Sequence, residues 1–284
     1  VADQPAIVSA PWLRDHLHDP QVVVVDCRFD LMQPDRGRKQ YLSGHIPGAH
    51  YLDLNRDLSG PVQRHGGRHP LPDPSVLAQK LGKMGVRSAI PDSPHRPPTL
   101  VVVYDDSRFA FAARLWWLLR YLSHDAVALL DGGFGQWQAL GFPVVQRLPQ
   151  LHRSTPFLAR LRPELSVDVT AVKAQVRNPG VILVDSRDGD RYRGEREPID
   201  PLAGHIPGAV NYPWQEVSHK QGHLRSLVEQ RARWENLMTA GELIVYCGSG
   251  VTACVNLYSL ALVGIATGRL YPGGWSDWCS YLQD

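Results

Sequence analysis

The chain has 284 residues, 43% of them apolar, with eight tryptophans and a formal net charge of +2. That length exceeds one average domain and accommodates two, each with its own core. The mixed charge leaves no electrostatic footprint for nucleic acid, since even the densest basic run, Arg191 to Arg196, is interrupted by Glu195.

No apolar run reaches the roughly 18 residues that a membrane span requires. The opening "VADQPAIVSAPWL" lacks the basic and apolar regions of a secretory signal. Cys27, Cys247, Cys254 and Cys279 are too sparse and irregular for a disulfide framework or a zinc site, so reduced thiols and a cytoplasmic location are expected.

In chain order, "VVVVDCR" (22–28) reads as a buried strand and is followed by "GHIPGA" (44–49). A Gly-, His- and Arg-rich stretch follows, "SGPVQRHGGRHPLP", and then "SAIPDSPHRPP". "LVVVYDDS" (100–107) is a second strand, "FAARLWWLLRYL" a helix, and "LLDGGFGQW" (129–137) a third strand with its turn. Proline-bearing, weakly periodic residues 146–165 form the expected linker.

The pattern then starts again. "VILVDSR" (181–187) parallels 22–28, and "GHIPGA" returns at 204–209. "ELIVYCGS" (242–249) parallels 100–107, and "RLYPGGWSDW" (269–278) parallels 129–137. The chain therefore reads as a tandem duplicated α/β protein: residues 1–145 are one copy and 166–284 the other. Continuous apolar strands alternating with helices predict parallel sheets covered on both faces.

Features kept in both copies are expected to serve the fold: His45 and His205, the Asp26–Arg28 and Asp185–Arg187 pairs, Trp137 and Trp278. Features that differ point to chemistry. Cys247 stands where the first copy has Asp105, making that copy the inactive one. Arg191 faces Met32, so it is either a functional arginine or a solvated surface one. The first copy also carries about eighteen extra residues between "GHIPGA" and Asp105. Loops of that length in compact domains are functional or disordered, and this one is expected to cover Cys247.

Cys247 lies at the carboxyl end of a strand, where parallel α/β sheets place ligands. Gly248 and Gly250 can take positive φ, which lets the N–H groups of residues 248–252 line an anion-binding nest at a helix N-terminus. Such surroundings activate a thiol. A phosphatase would need Cys-x5-Arg to grip phosphate in bidentate fashion, but position 253 is alanine, so transfer of a single sulfur atom is favoured. Cys27, Cys254 and Cys279 read as packing residues, with a minor redox role open to Cys254.

The repeated "GHIPGA", the Asp105/Cys247 exchange and the loop "CGSGVTAC" resemble the two-domain rhodanese family of sulfurtransferases over nearly the whole chain. Within that family the loop is similar to that of the mercaptopyruvate enzymes, whereas thiosulfate-using relatives carry Cys-Arg-Lys-Gly-Val-Thr. The resemblance implies two five-stranded parallel sheets flanked by helices, with the active site between the domains. It implies Cys247 as nucleophile, Ser249 and His69 as groups that move protons, and Arg191 as a holder of the donor's carboxylate. Gly248, Gly250, Val251 and Thr252 would complete the cradle. An aspartate of the family falls on Asn55, and a second carboxylate-binding arginine falls near Ile199, leaving Arg196 as its substitute.

The resulting expectation is a cofactor- and metal-independent enzyme. It moves sulfur from a small anionic donor, 3-mercaptopyruvate or thiosulfate, through a Cys247 persulfide. The acceptor is cyanide, a thiol or a thioredoxin-like protein. The alternative is a persulfide carrier or redox-signalling module that hands its sulfur to a protein partner.

Overall fold

The computed structural model describes residues 6–88, 97–151 and 156–282. Most of "SAIPDSPHRPP" lies outside the described residues, as does part of the 146–165 segment. The described strands are β1 (Ile7–Val8), β2 (Val22–Asp26), β3 (His50–Tyr51), β4 (Leu100–Tyr104), β5 (Val127–Leu130), β6 (Val181–Asp185), β7 (Val210–Asn211), β8 (Glu242–Tyr246) and β9 (Gly268–Leu270). The helices that matter below are α1 (Pro74–Lys83), α2 (Ala112–Tyr121), α3 (Ala253–Leu262) and α4 (Gly274–Ser280).

The chain divides into two compact units that are not contiguous halves. The first comprises residues 1–59, 72–162 and 220–224; the second comprises 60–71, 163–219 and 225–284. The Gly-, His- and Arg-rich loop therefore belongs to the second unit. The expected linker is no free tether either: the Arg160 N–H donates to the Leu122 carbonyl at 3.2 Å, and the Leu158 N–H donates to Ser88 Oγ at 2.9 Å.

In the first unit all strands run parallel in the order β1-β5-β4-β2-β3. The central β4, Leu-Val-Val-Val-Tyr, is buried along its whole length, as a strand covered on both faces must be. The second unit repeats this with four strands, β7-β6-β8-β9, also parallel. Five were expected. The place next to β9 holds only a single bridge, Ser166 to Leu270, because Pro163–Leu165 is wound into a 3₁₀ turn that leaves no run of extended backbone to pair.

The duplication extends to individual hydrogen bonds. Arg28 grips Asp26 and donates to the Gly44 carbonyl at 2.7 Å; Arg187 grips Asp185 and donates to the Gly204 carbonyl at 2.6 Å. Both pairs are buried, and each arginine ties a strand end to the turn before its Ile-Pro-Gly. His45 stacks on Tyr41 with Nδ1 2.7 Å from the Tyr41 carbonyl, and His205 does the same with Tyr192 at 2.8 Å. These histidines hold turns. Trp137 and Trp278 lie in the cores of their respective units. Among the described residues no helix is long and apolar enough to cross a membrane.

Candidate active site

Cys247 is the first residue after β8, only 2% exposed, and the loop 247–252 leads into α3. Two backbone bonds fix the loop: the Trp275 N–H donates to the Cys247 carbonyl at 2.8 Å, and the Ser276 N–H donates to the Gly248 carbonyl at 2.9 Å. In a planar trans peptide the N–H points opposite to the C=O, so the amides of Gly248 and Ser249 face away from α4. The N-terminal end of α3 adds the positive end of its dipole.

The first unit shows what such a loop holds. There the Phe134 N–H donates to the Asp105 carbonyl at 2.9 Å, repeating the Trp275–Cys247 bond. The Asp105 side chain turns back into its own loop. Oδ1 accepts from the N–H groups of Ser107 (2.8 Å) and Phe109 (3.1 Å), while Oδ2 accepts from Phe111 and Ala112 (both 2.9 Å). Burial pushes this carboxyl up from its ordinary pKa while the amides oppose it. The first copy's cradle is thus filled by a carboxylate of its own chain. The corresponding positions of the second unit are Ser249, Val251, Ala253 and Cys254, the last of whose N–H donates to the Val251 carbonyl at 3.1 Å.

The two glycines differ in what they permit. Gly250 has φ +70, and a Cβ there would lie 2.3 Å from the Pro272 carbonyl oxygen. Gly248 does not have positive φ, contrary to expectation. A Cβ there would meet only the tips of two long side chains, Arg68 Nη2 at 2.9 Å and Arg191 Nη2 at 3.7 Å. Val251 is buried, and Thr252 occupies the cap position of α3 without a side-chain cap bond. Cys254 donates its S–H to the Gly250 carbonyl at 3.4 Å, supporting the loop from within.

Residues 60–71 are fastened to the turn that carries these bonds. The Gly66 N–H donates to Asp277 Oδ1 (2.7 Å), the Arg68 N–H donates to Ser276 Oγ (3.1 Å), and His65 lies 2.7 Å from Ser280 Oγ while stacking on Tyr281. The stretch delivers His69, whose Nδ1 is 2.7 Å from Ser249 Oγ; both side chains are buried.

Arg191 donates to Glu197 Oε1 at 2.6 Å and to Asp200 Oδ2 at 3.2 Å, and Arg68 pairs with the other oxygen of Asp200. Glu197 also accepts from Arg187 at 3.2 Å. Arg196 does not join this group: it is turned to solvent and paired with Asp190 and Asp188, because acidic neighbours on its own turn satisfy it first. Asn55 is an exposed residue of the first unit, its N–H bound to Asp53 Oδ1 at 2.9 Å. Arg68, Glu197 and Asp200 were not singled out in the sequence. The signal for Arg68 is its place in the first copy's extra loop; the two acids stand in "EREPID", where the family resemblance points only to an arginine. No group of side chains able to hold a metal occurs among the described residues.

The pattern of the rhodanese-like domain matches residues 9–140 and again 168–281, so the chain belongs to the rhodanese-like domain family in its two-domain form. Its relatives place it among the sulfurtransferases. A Pseudomonas aeruginosa protein named as a probable 3-mercaptopyruvate sulfurtransferase is 44% identical, covering 96% of this chain and 94% of its own. Escherichia coli 3-mercaptopyruvate sulfurtransferase is 33% identical over 95% of this chain and 94% of its own. The crystal structure of the Escherichia coli enzyme SseA superposes with a TM-score of 0.80, covering 95% of this chain and 99% of that one. Mouse thiosulfate sulfurtransferase is 31% identical over 96% of this chain and 91% of its own.

Proposed function

We propose that the protein is a ping-pong sulfurtransferase in which Cys247 carries the sulfur, with 3-mercaptopyruvate as the favoured donor. The observation that carries this reading is the exchange of Asp105 for Cys247 at the matching ends of β4 and β8, whose carbonyls accept from the N–H groups of Phe134 and Trp275 in the same way. In the first unit backbone amides surround the Asp105 carboxylate, and on this reading the N–H groups of the 248–252 loop serve the Cys247 sulfur in the same way. A cradle that holds a carboxylate suits a thiolate and, after sulfur transfer, the terminal sulfur of a persulfide.

In the first half-reaction the Cys247 thiolate attacks the sulfur of mercaptopyruvate. The S–S bond forms as the C–S bond breaks, and the electron pair leaves on carbon as the enolate of pyruvate. Protonation of that carbon completes pyruvate, and the Ser249–His69 pair, 2.7 Å apart, is placed to move the proton. With thiosulfate the leaving group is sulfite. In the second half-reaction cyanide or a thiol attacks the outer sulfur and the Cys247 thiolate is restored. Arg191, 12% exposed and held by Glu197 and Asp200, orients the donor's anionic end. Gly248, Gly250, Val251 and Thr252 shape the cradle. The reading calls for no cofactor or metal.

Support for mercaptopyruvate comes from the loop itself, Cys-Gly-Ser-Gly-Val-Thr, which carries no cation of its own for a dianionic donor. The test supplies purified protein with each donor in turn and cyanide as acceptor, measuring thiocyanate. Mercaptopyruvate is expected to give the higher kcat/KM, and Cys247→Ser to abolish both activities. No thiocyanate from either donor, or full activity in Cys247→Ser, overturns the reading.

A further inference from the structure

α4 carries more than the two N–H groups that fix the Cys247 and Gly248 carbonyls. Its Asp277 is buried and accepts two bonds, Oδ1 from the Gly66 N–H at 2.7 Å and Oδ2 from the Tyr271 hydroxyl at 2.6 Å. Burial, and then the bond to Asp277, push the Tyr271 pKa up, so the phenol keeps its proton and remains a donor. The Tyr271 N–H is itself bound to the Val245 carbonyl at 3.0 Å, in β8 and two residues before Cys247. One carboxylate therefore links the strand that ends at Cys247 to the stretch that delivers His69.

That stretch is held flat against α4 up to the residue before His69. The Gly66 N–H sits on Asp277 and the Arg68 N–H on Ser276 Oγ at 3.1 Å. Between them Gly67, with φ +79, allows the close approach: a Cβ there would lie 2.4 Å from the Gly273 carbonyl oxygen. Ser276 Oγ is shared with the Gly273 carbonyl at 3.1 Å, so the shorter bond to a carboxylate is the firmer of the two anchors. The first copy lacks this arrangement. Gln136 stands at the position of Asp277 and Leu130 at that of Tyr271, and Gln136 Oε1 lies 3.2 Å from His223 Nε2 instead. By the reasoning that sets Cys247 apart from Asp105, a difference of this kind between the copies points to chemistry.

We propose that Asp277 is a positioning residue for proton transfer: oriented by Tyr271 and bound to the Gly66 N–H, it fixes residues 66–69 and with them the reach of His69 to Ser249. This rests on the sulfurtransferase reading. Asp277 acts through His69 and not on the reacting atoms. Only the half-reaction in which carbon is protonated to give pyruvate depends on it. An anchor with a purely structural role would, when lost, loosen α4 and with it the Cys247 loop, slowing both half-reactions alike.

The two roles separate in Asp277→Ala and Asp277→Asn, checked for folding by circular dichroism and assayed with 3-mercaptopyruvate as donor and cyanide as acceptor. Asp277→Ala is expected to slow single-turnover release of pyruvate roughly ten- to a hundred-fold, the range of a misplaced acid–base group. Discharge of the preformed persulfide by cyanide, which needs no proton, keeps its rate. Asp277→Asn retains an oxygen for the Gly66 N–H and recovers most of the loss. Combined with His69→Gln, Asp277→Ala adds little, because the proton-transfer pair is already disabled. Should Asp277→Ala fail to fold, Gly66→Ala perturbs the same bond from its other end. There φ is +97 and no atom lies within 4 Å of where a Cβ would be, so the backbone shifts without a clash and the same split between half-reactions is expected. Unchanged pyruvate release in the folded variant, equal slowing of both half-reactions, or full additivity with His69→Gln overturns the proposal. A wild-type protein that releases no pyruvate from mercaptopyruvate defeats the underlying reading instead.

Discussion

Gly133 and Gly274 offer the same mechanical perturbation at the two copies of one site. Gly133 has φ +54, and a Cβ there would lie 2.3 Å from the Asp105 carbonyl oxygen; Gly274 has φ +59, and a Cβ would lie 2.5 Å from the Cys247 carbonyl oxygen. Alanine at either position incurs about 1–2 kcal/mol for the left-handed backbone. It also forces carbon and oxygen apart from a separation well inside the ~3.5 Å contact distance, a shift on the order of 1 Å. Each variant should therefore lose about 2–4 kcal/mol of stability, the range expected when backbone strain and overpacking combine. Their effects on turnover should diverge. In Gly274→Ala the displaced carbonyl belongs to Cys247, the proposed nucleophile, and a 1 Å misplacement is worth about a hundred-fold in rate. In Gly133→Ala it belongs to Asp105, which the proposed mechanism does not use. The assay pairs urea unfolding with kcat/KM for mercaptopyruvate on protein confirmed folded by circular dichroism. Equal kinetic losses in the two variants, or normal turnover in Gly274→Ala, would refute the assignment of roles to the two loops.

Other outcomes follow from single contacts. Ser249→Ala and His69→Gln should each lower kcat by roughly ten- to a hundred-fold, and the double variant should lose little more than either alone, because the two act as one unit; additive losses would show independent roles. Asp105→Asn leaves amide hydrogens facing two of the four N–H donors and should destabilise the protein by about 2–4 kcal/mol, measured by urea unfolding, with kcat/KM unchanged. His124 is buried with Nε2 2.9 Å from the Thr99 carbonyl, and burial depresses its pKa from 6.5 to about 4. The folded form favours the neutral ring, so this contribution is complete above pH 6.5 and is lost as pH falls towards 4, amounting to about 3 kcal/mol. His124→Gln should flatten the stability profile over that interval; an unaltered profile would place the acid sensitivity elsewhere.

Much of the fold was legible because it is written in short-range patterns that occur twice. Apolar pentapeptides ending in Asp or Tyr became the central strands, and the repeated Asp-x-Arg and "GHIPGA" became the same buried bonds in each unit. Cys247 stands out in the sequence because the matching strand end of the first copy carries Asp105. What escaped depends on partners far apart in the chain. Arg68 finds Asp200 across 132 positions, and nothing local to either residue announces the other. Arg196 failed as the second cation for the opposite reason: Asp188 and Asp190, close in sequence, claim it. Gly248 and Gly250 look alike in sequence, yet only Gly250 has positive φ and backbone, the Pro272 carbonyl, where a Cβ would be.

The central claim is that sulfur rests covalently on Cys247 between two half-reactions. Intact-protein and peptide mass spectrometry after treatment with mercaptopyruvate, without acceptor, tests it most directly. A gain of one sulfur atom is expected on the peptide containing Cys247, absent in Cys247→Ser and removed by cyanide with release of one equivalent of thiocyanate. Multiple turnover with no sulfur ever found on Cys247, or sulfur found instead on Cys27, Cys254 or Cys279, would contradict it.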